Sequence, residues 1–252
     1  MYALITGASS GIGSDIAREL FKRGYDLILV ARRVDRLEKL KNELECECKI
    51  FGCDLSNSEN CINLFESVKE EDIGVLVNCA GFGVFGNFLE TDLGKEIEMI
   101  NTNITALHIL TKLFLKKFSE QDNGYIMNVA SSAAFAPGPM FSSYYASKAY
   151  VLRLSEAIAE ETSKCAKNVH ISVLCPGPVD TEFNGVADVR FTIGSVTAEY
   201  VAEYAVKQMF RNKKIIVPSF KMKLARLGAK IIPEWISAKV TYHFQRKKDG
   251  QC

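Results

Sequence analysis

No stretch of the chain approaches the ~18 uninterrupted apolar residues that a membrane-crossing helix needs. Histidine is scarce. His108, His170 and His243 lie scattered among apolar residues without partners at ligand spacing, and each reads as core or surface filling. Cys46 and Cys48 make a C-x-C with no second pair and no clustered histidine, which argues against a metal site. No secretory signal precedes the cysteines, since the first apolar run, residues 2–5, leads straight into a glycine-rich turn. Several of the eight cysteines sit in apolar runs, where a thiol packs as a small hydrophobe. Free thiols and a reduced, cytoplasmic setting are therefore expected. Repeats, low-complexity tracts and linkers are missing too, which leaves one domain over residues 1–252.

What is present suits a folded α/β protein: 252 residues, 48% apolar and 24% charged, with a formal net charge of +1. The charge is unevenly placed. Residues 207–252 carry twelve Lys/Arg against two Asp/Glu, a net of +10, which leaves −9 for the rest. A basic tail of this kind suits an anionic surface of lipid, nucleic acid, substrate or the protein's own fold. No nucleic-acid reading module stands beside it, so nucleic acid is not an expected partner. Within residues 220–248 the bases interleave with Leu224, Leu227, Ile231, Ile232, Trp235, Ile236 and Val240, and Pro233 interrupts any single helix. This basic extension, residues 218–252, has three readings: peripheral membrane contact, a dimer or tetramer contact, or a flap over a substrate loop at about 182–196. A homodimer or homotetramer is expected ahead of membrane contact, because the same pattern describes a soluble interface helix.

Short apolar runs alternate with amphipathic stretches along the chain. Residues 2–5, 26–31, 48–53, 75–78, 124–129, 170–175 and 215–217 read as strands. Several are continuous, such as Leu27-Ile28-Leu29-Val30, as strands buried on both faces require. Residues 11–23, 35–45, 58–70, 94–119, 143–163 and 197–211 read as helices. Ser56 with Glu59 fits a capping box before the third of them, whereas Thr197 with Tyr200 lacks the acid. Repeated βα units predict a Rossmann-like, doubly wound sheet of about seven mostly parallel strands with helices on both faces.

Directly after the first strand comes Thr6-Gly7-Ala8-Ser9-Ser10-Gly11-Ile12-Gly13, opening a helix. Glycines there permit a tight turn and a close backbone approach, and the helix N-terminus presents free N–H groups to a pyrophosphate. The second strand ends at Ala31-Arg32-Arg33. An acid at that position would accept a ribose 2′-hydroxyl; two arginines suit a 2′-phosphate, so NADP is expected over NAD. Asp54 with Leu55, after the third strand, is a candidate for the adenine ring. Asn78, Ala80 and Gly81, after the fourth, are candidates for the cofactor's flank.

Tyr144 and Lys148 are four residues apart at the start of a helix, so both fall on one face. A free phenol titrates near pH ~10, and a neighbouring ammonium is expected to draw it toward neutrality. With the glycine turn upstream, the chain strongly resembles the short-chain dehydrogenase/reductase family over nearly its full length. The matching pieces are residues 6–13, Asp54-Leu55, residues 78–81, Asn103, Asn128-Val129-Ala130-Ser131, residues 144–148 and Pro176-Gly177-Pro178-Val179-Asp180-Thr181. The resemblance implies that Tyr144 is the general acid of carbonyl reduction and the base of alcohol oxidation. It implies that Lys148 binds the nicotinamide ribose, Ser131 bonds the substrate oxygen, and Asn103 fixes a water in a proton relay. Pro176, Gly177, Val179 and Thr181 would line the nicotinamide side.

Spacing selects Tyr144 over Tyr145 and Ser131 over Ser132; Tyr145 then becomes a packing or substrate-wall residue. The family often has asparagine where this chain has Cys79 and Cys175, departures that touch cofactor-loop hydrogen bonding and remove no catalytic group. Residues 82–86, 135–141 and 183–191 are rich enough in phenylalanine to wall a pocket for a carbonyl or alcohol with a hydrophobic body. The alternative on the same fold is a non-catalytic, NADP-sensing regulator, which a degraded Ser-Tyr-Lys set would favour.

Overall fold

Each residue of a buried parallel strand must find apolar partners on one face or the other, and the central strands here do so by parity. A computed structural model describes residues 1–46, 48–183, 196–229 and 231–246. In β2 (Asp26–Ala31), Leu27 and Leu29 enter one core while Ile28 and Val30 enter the other. β1 (Tyr2–Thr6) and β4 (Ile73–Asn78) repeat the pattern, with Ile5 and Val77 on one side and Leu4 and Leu76 on the other.

With β3 (Lys49–Gly52), β5 (Gly124–Val129), β6 (Val169–Leu174) and β9 (Ile215–Ile216), these form one sheet of order β3-β2-β1-β4-β5-β6-β9, every neighbouring pair parallel. A two-residue ribbon, β7 (Val179–Asp180) with β8 (Val196–Thr197), stands apart. One face is covered by α1 (Gly11–Phe21), α2 (Val34–Leu44) and α7 (Ala198–Met209), through Ile16, Leu20, Leu37, Val201 and Met209. The other is covered by α3 (Ser58–Val68), α5 (Leu107–Gln121) and α6 (Ser142–Cys165), through Leu64, Phe114, Phe118 and Ala159. Strand order reverses between β1 and β4, so a crevice opens beyond their carboxyl ends.

Four local expectations change. Residues 94–119 do not make one regular helix: α4 (Leu93–Ile100) passes through a π-helical turn, Asn101–Ala106, before α5. Ser56 does not cap α3. Asn57 does, accepting from Glu59 N at 2.9 Å, because Ser56 is drawn back to Asp54 Oδ1 by two hydrogen bonds. Thr197 caps α7 without the acid, its Oγ1 accepting from Tyr200 N. Finally, Cys46 and Cys48, expected as free thiols, are joined in a disulfide. The left-handed Glu45 (φ 51°) that ends α2 turns the chain so that their Cα atoms come within 5.4 Å. Cys53, Cys61, Cys79, Cys165 and Cys175 are free.

Pro233 separates α8 (Phe220–Ala229) from α9 (Glu234–Arg246). Phe114 sits at the centre of the second core, edge-on to Phe65 and Phe118 and fully buried. Phe114→Ala should lower unfolding free energy by roughly 3–5 kcal/mol, read as a shifted urea midpoint at unchanged slope.

Candidate active site

The turn after β1 has no space for side chains. Gly7 lies at φ +70°, and a Cβ on it would meet Ala80 Cα and N at 2.8 Å. One on Gly13 would come 2.3 Å from the Gly7 carbonyl oxygen. Thr6 Oγ1 accepts from both Cys79 N and Ala80 N, at 3.1 Å each, and so clamps the ends of β1 and β4 together. The α1 N-terminus, with no side-chain cap from Ser10, faces the crevice with its N–H groups open to an anion.

The crevice continues into a cavity of about 570 Å3, within the range of small-molecule sites. Its walls bring together the whole glycine turn (Gly7, Ser9, Ser10, Gly11, Ile12, Gly13), Arg32, Arg33, Asp54, Leu55, Ala80, Gly81, Ser131, Tyr144, Lys148, Pro176, Gly177, Val179 and Thr181. These pieces come from six strand ends and helix α6, spread over 175 residues. Arg33 is held by Ser9, Ser10 and the carboxylate of Glu182 (2.9 Å), which Arg36 also binds. Together they pull the Glu182 carboxyl below its usual range, Arg36 foremost. Arg32 pairs with Glu98 at 2.7 Å.

The model of the family described as short chain dehydrogenase matches residues 1–188. The chain belongs to that family. It is 36% identical over 214 residues to human 17-beta-hydroxysteroid dehydrogenase type 3, a match covering 80% of this chain and 66% of that protein, just under two thirds of its length. It is 31% identical to a 7beta-hydroxysteroid dehydrogenase from Mediterraneibacter gnavus, over 70% of this chain and 68% of that one. Among solved structures, a short-chain dehydrogenase from Sphingobium yanoikuyae in complex with NADPH superposes with a TM-score of 0.81 at 29% identity, covering 92% and 96% of the two chains.

Two of the expected site residues lie behind the cavity wall. Asn78 is buried between β4, β5 and α5, its Nδ2 donating to Thr111 Oγ1 and Asn128 Oδ1. Asn103, fully buried on the π-helical turn, exchanges two hydrogen bonds with the Phe82 backbone and donates to Ser147 Oγ. Its side chain is therefore an anchor for the loop beside Gly81. A Cβ on Gly81 would come 2.7 Å from Asn103 Oδ1 and 3.4 Å from Lys148 Nζ. Residues 184–191 of the expected wall lie outside the described residues. Of the remainder, Phe82, Phe141 and Phe183 line the cavity and Phe135 packs elsewhere.

Tyr144 stacks on Phe141, ring centres 4.5 Å apart, with Phe183 at 5.4 Å. This burial pushes the Tyr144 phenol up, and a hydrogen bond with Ser131 offsets it only in part. The expected pull from Lys148 does not appear. Lys148 is buried as well, donates to the Val129 carbonyl at 3.0 Å and stands 5.7 Å from the Tyr144 ring centre. Burial lowers its own pKa to about 8. Desolvation outweighs attraction for both groups, as expected for a pair enclosed by aromatic rings.

Sequence reading missed Glu182, Met222, Thr241 and Gln245. The last three come from the C-terminal helices, which bend back over the cavity. Residues of that extension thus line the cavity, while Phe220, Leu224, Leu227, Ile231 and Trp235 stay exposed; the loop over which a flap was expected lies, from residue 184 to 195, outside the described residues.

The Lys148 pKa, depressed on folding, has a consequence for stability. The unfolded chain holds that proton up to about pH 10.5 and the folded chain up to about 8, so stability should rise with pH across that window. The rise should be missing from Lys148→Met when urea midpoints of the two proteins are compared from pH 7.5 to 10.

Proposed function

We propose that the protein is an NADP(H)-dependent oxidoreductase that moves hydride between the nicotinamide and a carbonyl or alcohol on a hydrophobic body. One observation carries this: Ser131, Tyr144 and Lys148 share a single cavity with the glycine turn and Arg33. The residues present fit the cofactor, because Gly7 and Gly13 leave a cradle that a Cβ would fill, and the helix beyond it offers free N–H donors. Arg33, with Ser9 and Ser10 beside it, already grips one anion, the Glu182 carboxylate, which supports a 2′-phosphate there and so NADP over NAD.

When bound, the cofactor supplies or accepts the hydride. The chain's own part is orientation and the proton. Ser131 Oγ donates to the substrate oxygen and polarises it. Tyr144, whose burial keeps the phenol protonated at neutral pH, donates to that oxygen in reduction and recovers the proton in oxidation. Lys148, buried beneath the ring, holds the ribose side. Asn103 acts in the relay through its main chain, its amide being engaged by Phe82 and Ser147.

Phe82, Phe141, Phe183, Met222 and Phe244 make the substrate end apolar, which supports a rigid, hydrophobic ketone. The relatives named for hydroxysteroids make ketosteroids the class to test first. A homodimer or homotetramer is consistent with apolar residues left exposed on α4 and the loop before it, Phe88, Leu89, Leu93 and Ile97. Free Cys53, Cys61, Cys79, Cys165 and Cys175 among the described residues support a cytoplasmic setting, and the Cys46–Cys48 disulfide weighs against it.

Tyr144→Phe should bind NADPH as before and lose turnover by about 10²–10⁴-fold. Unaltered turnover would sink the assignment. Arg33→Ala should raise KM for NADPH by about tenfold or more and barely move KM for NADH. Both are read from nicotinamide absorbance with a panel of ketones; a wild-type preference for NADH would overturn the choice of NADP.

A further inference from the structure

Gln245 is out of place by composition. It is a long polar side chain on a helix whose other residues are exposed or half-buried, yet it is only 2% exposed. Thr241 and Phe244 of α9 line the cavity with it, Phe244 remaining half exposed. Gln245 Nε2 donates to Tyr145 Oη at 2.8 Å, one hundred residues away in sequence. Its Oε1 is buried and has no hydrogen-bond partner among the described residues. A primary amide has two donors and two acceptor sites, and a buried acceptor left unmade is rare in native proteins.

Tyr145 completes the arrangement. One residue after Tyr144 on α6, it is rotated about 100° around the helix, so its phenol leaves the reacting centre and meets α9. The two rings are 6.3 Å apart. Tyr145 Oη accepts from Gln245, and its own proton has no acceptor among the described residues. Gly138 is what admits the ring, since a Cβ there would come 2.2 Å from it. Thr241 offers no competing donor, because its hydroxyl is turned to the Ser237 carbonyl at 2.8 Å. Tyr145 and Gln245 thus bring an unused donor and an unused acceptor together in the cavity lining, beside Phe141, Phe183, Met222, Thr241 and Phe244.

We propose that Tyr145 and Gln245 form a second polar subsite that selects substrates bearing a hydroxyl away from the reacting carbonyl. A hydroxyl donates to Gln245 Oε1 and accepts from Tyr145 Oη at once. A ketone or an ether can only accept, and leaves the amide oxygen buried and unpaired. The subsite deepens the reading of the chain as a reductase of hydrophobic ketones and rests on it.

The test uses 17-keto and 7-keto steroids that carry a free hydroxyl, a methyl ether or hydrogen at carbon 3. Wild-type kcat/KM should favour the hydroxyl over the ether by about five- to tenfold. In Gln245→Met, close in shape and without the amide, that ratio should fall to near one. Gln245→Glu, which keeps an acceptor, should keep the preference. A wild-type ratio near or below one overturns the proposal. So does a Gln245→Met protein that slows all three substrates equally, since that marks the amide as packing for α9 only. Calorimetric Kd values for the same series with the NADPH-loaded protein read the subsite whether or not the steroids turn over. A simple aryl ketone assayed alongside shows separately whether the reductase reading stands.

Discussion

Between the ends of β1 and β4 there is room for backbone and for nothing else. Thr6 takes two N–H groups of the neighbouring loop onto one hydroxyl, and Gly7 rests against Ala80 where any side chain would collide. Gly13 in turn lies on the Gly7 carbonyl, which sets how closely α1 approaches the sheet. From this contact follow the direction of the α1 N-terminus, the opening of the crevice at the reversal of strand order, and the closeness of Gly81 to Lys148. A sheet of the same order with a looser first turn would keep its two cores and lose the alignment of one end of the cavity with the other.

The second constraint is burial. Tyr144 and Lys148 share a face of α6, and Phe141 and Phe183 close around the phenol. Enclosure resists charge on either group, so the tyrosine holds its proton more firmly and the lysine less. A phenol kept neutral at pH 7 is suited to giving a proton to a carbonyl oxygen, and taking one back from an alcohol becomes easier as pH rises. The π-helical turn at Asn101–Ala106 belongs to the same device. The extra residue in that turn carries Asn103 under the loop at Phe82, and this supports the cavity floor from behind.

The C-terminal segment adds its own residues to the cavity lining. Its net charge of +10 suggests an anionic partner, yet the residues that touch the cavity are Met222, Thr241, Phe244 and Gln245, none of them charged. Among the described residues, Lys221, Lys223, Lys239 and Arg246 are exposed on the outer surface while the inner stripe lines the pocket. Arg33 follows a similar logic at the opposite end, where its charge is matched by Glu182.

The sequence alone was enough for the alternation of strands and helices, the parallel sheet, the glycine turn and the pairing of Tyr144 with Lys148 on one helix face. All of these rest on short-range patterns: period-two burial, a turn that tolerates no Cβ, and residues one helical turn apart, whereas Ser131 came from the family resemblance. Asn57 as the α3 cap and the Cys46–Cys48 pairing were harder to read, because each depends on which of several nearby groups reaches a partner first. Only the tertiary structure decided that Asn78 and Asn103 support the wall from behind, that Glu182 answers Arg33, and that Gln245 meets Tyr145. Those contacts join residues up to 149 positions apart, and no local periodicity encodes which distant side chain will fill the space that a buried donor leaves open.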